Sequence, residues 1–64
     1  MTIERARELL AQHVALGSGY NRNAARLVLA EVQREHGQAA VDALIVELDL
    51  AAHFGFRPGH PIKI

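Results

Sequence analysis

The residues of this sequence best suited to chemistry are its four histidines, since imidazole titrates near neutral pH and is the commonest protein ligand for metals. Only His53 has a second ligand at helical spacing, because Asp49 precedes it by four residues and would share its helix face. A metal site needs a third ligand, and no nearby residue supplies one. We therefore expect no cofactor and keep a histidine-based metal site as an alternative. The remaining histidines are interpreted as a core-edge residue, a helix-end residue and a tail residue: His13, His36 and His60.

Nucleophilic catalysis has equally little support in the sequence. Ser18 is the only serine, and no motif supplies it with an acid or base partner. The surrounding Gly17-Ser18-Gly19 lacks the lysine signature and the preceding strand of a phosphate-binding loop, so it predicts a turn between helices. A chain of 64 residues also has little volume for a concave pocket. We expect no enzymatic activity.

DNA binding of the helix-turn-helix kind is the main alternative function, because three short helices with a glycine between the last two share its outline. Seven basic residues balance seven acidic ones, and the charges are interspersed, which argues against a nucleic-acid partner. The would-be recognition helix, starting at Gln38, carries no Arg, Lys or Asn in its first two turns. The best candidates for phosphate contact are Arg22 and Arg26, at the start of the second helix. Helix capping followed by a solvated face is the simpler interpretation of that segment.

The first two helices follow from apolar residues spaced three and four apart. The first is predicted over about 2–16, begun by Thr2, whose hydroxyl can accept a hydrogen bond from a free amide of the first turn. Tyr20 is expected to anchor the turn that follows. The second helix is predicted over about 21–36, capped by Asn21 or Asn23. Its apolar stripe comprises Ala25, Val28, Leu29, Val32 and His36.

Gly37 separates the second helix from the third with almost no room for a loop. Because glycine enters the left-handed conformation at little cost, it predicts a sharp corner between two packed helices. The third helix is predicted over about 38–54 as a continuous helix with a kink at Asp49; a separate short helix from Leu50 to Phe54 is the alternative. Pro58, Gly59 and Pro61 predict an irregular tail over residues 55–64, pinned by two aromatic residues, Phe54 and Phe56.

The predicted fold is therefore all-α, an antiparallel three-helix bundle that forms one domain over residues 1–64. A chain this short without cysteine is near the lower size limit for folding alone, so self-association is expected. We predict a homodimer, because without a second copy Ala43 or Val46 of the third helix would face water. The residues divided between the core and the two-fold contact are Val41, Leu44, Ile45 and Leu48.

The predicted function is that of a non-catalytic interaction or regulatory module, which binds a protein partner through its helical surface. No apolar run approaches the roughly 18 residues that cross a bilayer, and the first residues do not match a signal pattern. These features predict a cytoplasmic protein without membrane contact.

Overall fold

The structure is a computed structural model that describes residues 1–17 and 21–62, so the turn predicted around Ser18 and the anchor predicted at Tyr20 lie outside the described residues. The described part of the chain is all-helical, as predicted, and contains no strand. Its helices are α1 (Ile3–Leu16), α2 (Asn21–His36), α3 (Gln38–Glu47) and α4 (Leu50–Phe54).

The start of α1 is capped in the predicted way. Thr2 has extended backbone angles, and its side-chain oxygen accepts a hydrogen bond from the Arg5 amide at 3.0 Å. This satisfies one of the amides that a helix leaves without an internal partner at its first turn. The buried face of α1 carries Ala6 and Leu10, both fully inaccessible to solvent.

Helix α2 is the central element of the fold, because it packs against both α1 and α3. Its buried side chains are spaced to form a broad stripe: Ala25, Val28, Leu29, Ala30 and Val32. The corner predicted after this helix is present. Gly37 is the single residue between α2 and α3, with φ 93° and ψ 171°, and its amide donates to the Gln33 carbonyl at 3.0 Å. A side chain at that positive φ would be strained, which is why glycine stands there.

The continuous helix favoured for residues 38–54 is wrong, because the structure divides it at Leu48 and Asp49. Asp49 adopts the left-handed conformation, φ 53° and ψ 45°, and α4 begins at the next residue. At about 100° per residue, a continuous helix would place Leu50 seven positions after Ala43, on the exposed side. The break turns Leu50 and Phe54 inward, where they are 0% and 5% exposed. Burial of two large apolar side chains outweighs the modest cost of one left-handed aspartate.

The tail after α4 is irregular, as predicted, and it is fixed to the helices at several points. Phe54 and Phe56 are both buried, with ring centroids 6.1 Å apart. The side chain of Gln33 bonds to both backbone groups of Ile62, accepting from its amide at 2.8 Å and donating to its carbonyl at 3.4 Å. The end of the tail is therefore held against the C-terminal part of α2.

Candidate functional site

The structure places all four residues predicted to share the core and the two-fold contact in or against the core of the chain itself. Val41, Leu44 and Ile45 are at most 1% exposed and belong to the core of one chain. Leu48 is half-buried and packs against the same core. The opposite side of α3 consists of three exposed apolar residues, Ala39, Ala43 and Val46, which we call the outer face of α3.

Val46 dominates this outer face, with 70% of its surface exposed. At 100° per residue, Ala39, Ala43 and Val46 lie within one narrow sector of the helix, directly opposite the buried residues. The face therefore presents a narrow apolar strip along α3.

A carboxylate stands on each side of the outer face, and each is bound within the chain. Asp42 accepts hydrogen bonds from the Gly59 amide at 2.7 Å and from the Gln38 side chain at 2.8 Å. These bonds stabilise the charged form, so the pKa of Asp42 lies below its usual value, with the Gly59 amide as the largest cause. Glu47 forms an ion pair with Arg7 of α1 at 2.5 Å.

A second candidate site is an open cleft of about 370 Å³ between the start of α2 and the tail. It brings together Arg22 and Arg26, the predicted phosphate contacts, with two basic residues of the tail, Arg57 and His60. We call this the basic cleft. Its remaining described lining is Gly55, Phe56, Pro61 and Ile62.

Arg22 is held in a fixed position within the basic cleft. Its Nε–H donates to the Phe54 carbonyl at 2.9 Å, and its guanidinium carbon lies 5.0 Å from the centroid of the Phe56 ring. The first contact satisfies a carbonyl at the end of α4, and the second is a cation–π interaction. Sequence reasoning identified Arg22 but not its partners, which lie more than thirty positions away along the chain.

The opposite wall of the cleft is the turn formed by residues 57–60. The His60 amide donates to the Arg57 carbonyl at 3.4 Å, and the Gly59 amide binds Asp42. Gln38 also donates to the His60 carbonyl at 3.3 Å. Sequence reasoning missed these roles of Gln38 and Asp42, because nothing in the local pattern links the start of α3 to a turn about twenty residues later.

The alternative metal site does not assemble in the described part of the chain. Asp49 and His53 keep their sequence spacing, but Asp49 precedes α4 and the His53 amide bonds to its backbone carbonyl at 3.2 Å. Among the described residues, no group of three potential ligands lies together. His36 contacts the Met1 carbonyl through Nε2 at 2.9 Å, as a helix-end residue.

The observed geometry does not favour a helix-turn-helix. The side chain of Gln38, the first residue of the would-be recognition helix, already donates hydrogen bonds to Asp42 and to the His60 carbonyl. The corner before it is one residue, Gly37, shorter than the three or four residues of that motif.

The sequence matches no protein-family model, and no curated protein or solved structure is significantly similar to it. None of the described helices is both long and apolar enough to cross a membrane.

Proposed function

We propose that this protein is a small, non-catalytic interaction module that associates with a second copy of itself through the outer face of α3. One observation carries the proposal: Val46 is 70% exposed on a helix whose opposite side already fills the core. A helix that is apolar on both sides is typical of a chain with a further surface to bury. The antiparallel three-helix bundle expected from the sequence would be its scaffold, with α4 as an addition.

The charged residues beside the face favour this use of it. Burying an unpaired carboxylate in an interface costs several kcal/mol, by order of magnitude. Asp42 and Glu47 flank the face but are bound by Gly59 and Arg7 of their own chain. A partner can therefore cover the apolar strip without stripping water from an uncompensated charge.

The order of side chains along the face favours an identical partner. Ala39 and Val46 lie at the two ends of the strip, with Ala43 between them. In an antiparallel two-fold pairing, Val46 of each copy meets Ala39 of the other, so a large side chain fits against a small one. Alanine at the crossing point also allows the two helices to approach closely.

The expected association is reversible, because α3 is short. Its 10 residues span about 15 Å, and a contact of this length falls well below the roughly 1,200–2,000 Å² of stable complexes. Dimer and monomer should therefore exchange as the protein concentration changes.

Sedimentation equilibrium over a wide concentration range tests the proposal, using the wild type, Val46→Glu and Leu27→Glu. Leu27 is the matched control, because it is 55% exposed on α2 and lies outside the outer face. We expect the wild type and Leu27→Glu to dimerise with rising concentration, and Val46→Glu to remain a folded monomer. A wild type that stays monomeric, or a Val46→Glu variant that dimerises equally well, would contradict the proposal.

A further inference from the structure

The connection between α2 and α3 is a single residue, Gly37, and it joins two halves of the chain that cover each other's apolar sides. The first half contains α1 and α2, and the second contains α3, α4 and the tail. We propose that Gly37 is a hinge at which the second half exchanges between two copies of the chain. When Gly37 takes helical angles, α2 and α3 become one helix, and the second half of each copy packs against α1 and α2 of the other. This exchange does not depend on the outer face of α3.

The hydrogen bonds on both sides of Gly37 already have the helical pattern. Its amide donates to the Gln33 carbonyl at 3.0 Å, and its carbonyl accepts from the Val41 amide at 3.4 Å. Both bonds join residues four positions apart, as inside an α-helix. The two helices are separated by the backbone angles of Gly37, φ 93° and ψ 171°. A change of conformation at this one residue is therefore enough to make the helix continuous.

The joined helix gains hydrogen bonds that the corner lacks. A helix leaves its first amides and its last carbonyls without internal partners, and no side chain caps the start of α3. In the joined helix, the amides of residues 38–40 bond to the carbonyls of residues 34–36. These bonds favour the open hinge, whereas glycine favours the corner, because it accepts a positive φ and has a poor helix propensity. The residue type at position 37 therefore sets the balance between the two forms.

The contacts that hold the two halves together are available in both forms. Their polar and aromatic members join α1 or α2 to the second half: Arg7 to Glu47, Arg22 to the Phe54 carbonyl and the Phe56 ring, and Gln33 to Ile62. After exchange, each of them forms between copies instead of within one. Exchange of identical elements thus keeps the buried core and changes only the hinge and the number of associated chains.

Gly37→Ala should move the balance strongly toward exchange. The observed angles belong to a backbone region that is almost restricted to glycine. A Cβ atom at Gly37 would meet no atom within 4 Å, so alanine would suffer backbone strain without a steric clash. Strain in the corner and the better helix propensity of alanine together favour the open hinge by roughly 30-fold or more per chain. Because an exchanged dimer contains two hinges, its association constant should rise by about a thousandfold or more.

The test uses full-length chains that all carry Val46→Glu, which removes association through the outer face of α3 and so separates this inference from the proposed function. The variants are Gly37→Ala and Gly37→Asn, and the control is Gly17→Ala. Gly17 has nearly the same angles, φ 98° and ψ 167°, and equally open space for a Cβ atom. Four residues separate α1 from α2, so residues next to Gly17 can absorb the strain. Each chain is refolded from urea over a wide concentration range, and its mass is measured by size-exclusion chromatography with light scattering.

We expect Gly37→Ala to form the most dimer, Gly37→Asn less, and the chain with Gly37 least, following the helix propensities of the three residues. Gly17→Ala should remain monomeric. Isotope-filtered NMR of an equal mixture of ¹³C-labelled and unlabelled Gly37→Ala chains, refolded together, identifies the exchange. Arg22 of one copy should then show contacts with the Phe56 ring of the other.

Three results would overturn the inference. The first is that both Gly37 variants stay monomeric, whether folded or unfolded, at every concentration. The second is that Gly17→Ala dimerises as strongly as Gly37→Ala. The third is a dimer in which the contact between Arg22 and Phe56 occurs only within each copy, because association without exchange leaves that contact in place.

Discussion

The break between α3 and α4 makes a prediction about one residue replaced in two ways, Asp49→Gly and Asp49→Ala. At φ 53° and ψ 45°, a residue with a Cβ atom pays a steric cost of roughly 1–2 kcal/mol that glycine avoids. We therefore expect Asp49→Gly to be more stable than Asp49→Ala by about 1 kcal/mol. In a continuous helix the order would reverse, because alanine is favoured over glycine by about 1 kcal/mol in a helix interior.

Thermal unfolding followed by circular dichroism measures this difference. For a domain of this size, 1 kcal/mol corresponds to a shift of about 4–8 °C in Tm. All variants are compared at one protein concentration, because self-association would make Tm depend on it. The control is Ala11→Gly, at an exposed position inside α1, which should lose about 1 kcal/mol. If Asp49→Ala melted above Asp49→Gly, the left-handed break would be refuted.

Three further predictions concern the core, the tail and the helix cap. Leu44→Ala should lose about 2–5 kcal/mol in urea unfolding, and Leu48→Ala less, because Leu44 is 1% exposed and Leu48 only half-buried; melting of both like the wild type would contradict the core assignment. Asp42 has a lowered pKa in the folded state, so its carboxylate stabilises the fold above its ordinary pKa of 3.8, and that contribution is lost as pH falls through the lower folded value. A series of melts through this acid range should show a larger loss of stability in the wild type than in Asp42→Asn, where Glu35 still has a lowered pKa; parallel curves would refute the role given to the Gly59 contact. Thr2→Ala should cost about 1 kcal/mol, whereas Thr2→Ser should retain most of the stability, and equal unfolding midpoints for the two variants would argue against the cap.

Local sequence signals predicted the elements whose causes are themselves local. Thr2 accepts from an amide three residues away, and Gly37 permits a backbone angle that other residues avoid. The apolar spacing of α2 likewise predicted most of its buried side, although His36, which was assigned to that stripe, is exposed. These features require only neighbouring residues, so they could be predicted without knowing the fold.

The break at Asp49 could have been predicted from the angular positions of the apolar residues, but the high apolar content of residues 38–54 favoured a continuous helix instead. Val41, Leu44 and Ile45 define one buried side, and Leu50 falls on the other side if the helix continues. Leu50 and the first three residues can all be buried only if the helix is interrupted between them. The general apolar character of residues 38–54 was therefore a poorer guide than the angular position of each side chain.

The sequence by itself determined an all-helical chain, its first two helices, the corner at Gly37 and the irregular character of the tail, because each follows from contacts within a few residues. Tertiary structure alone decided where the tail lies and what it brings to Arg22. The Phe54 carbonyl and the Phe56 ring contact that arginine, and Arg57 lines the same cleft, because α4 turns inward and Asp42 binds the Gly59 amide. Such contacts depend on packing free energy shared over the whole core, and no local pattern encodes them.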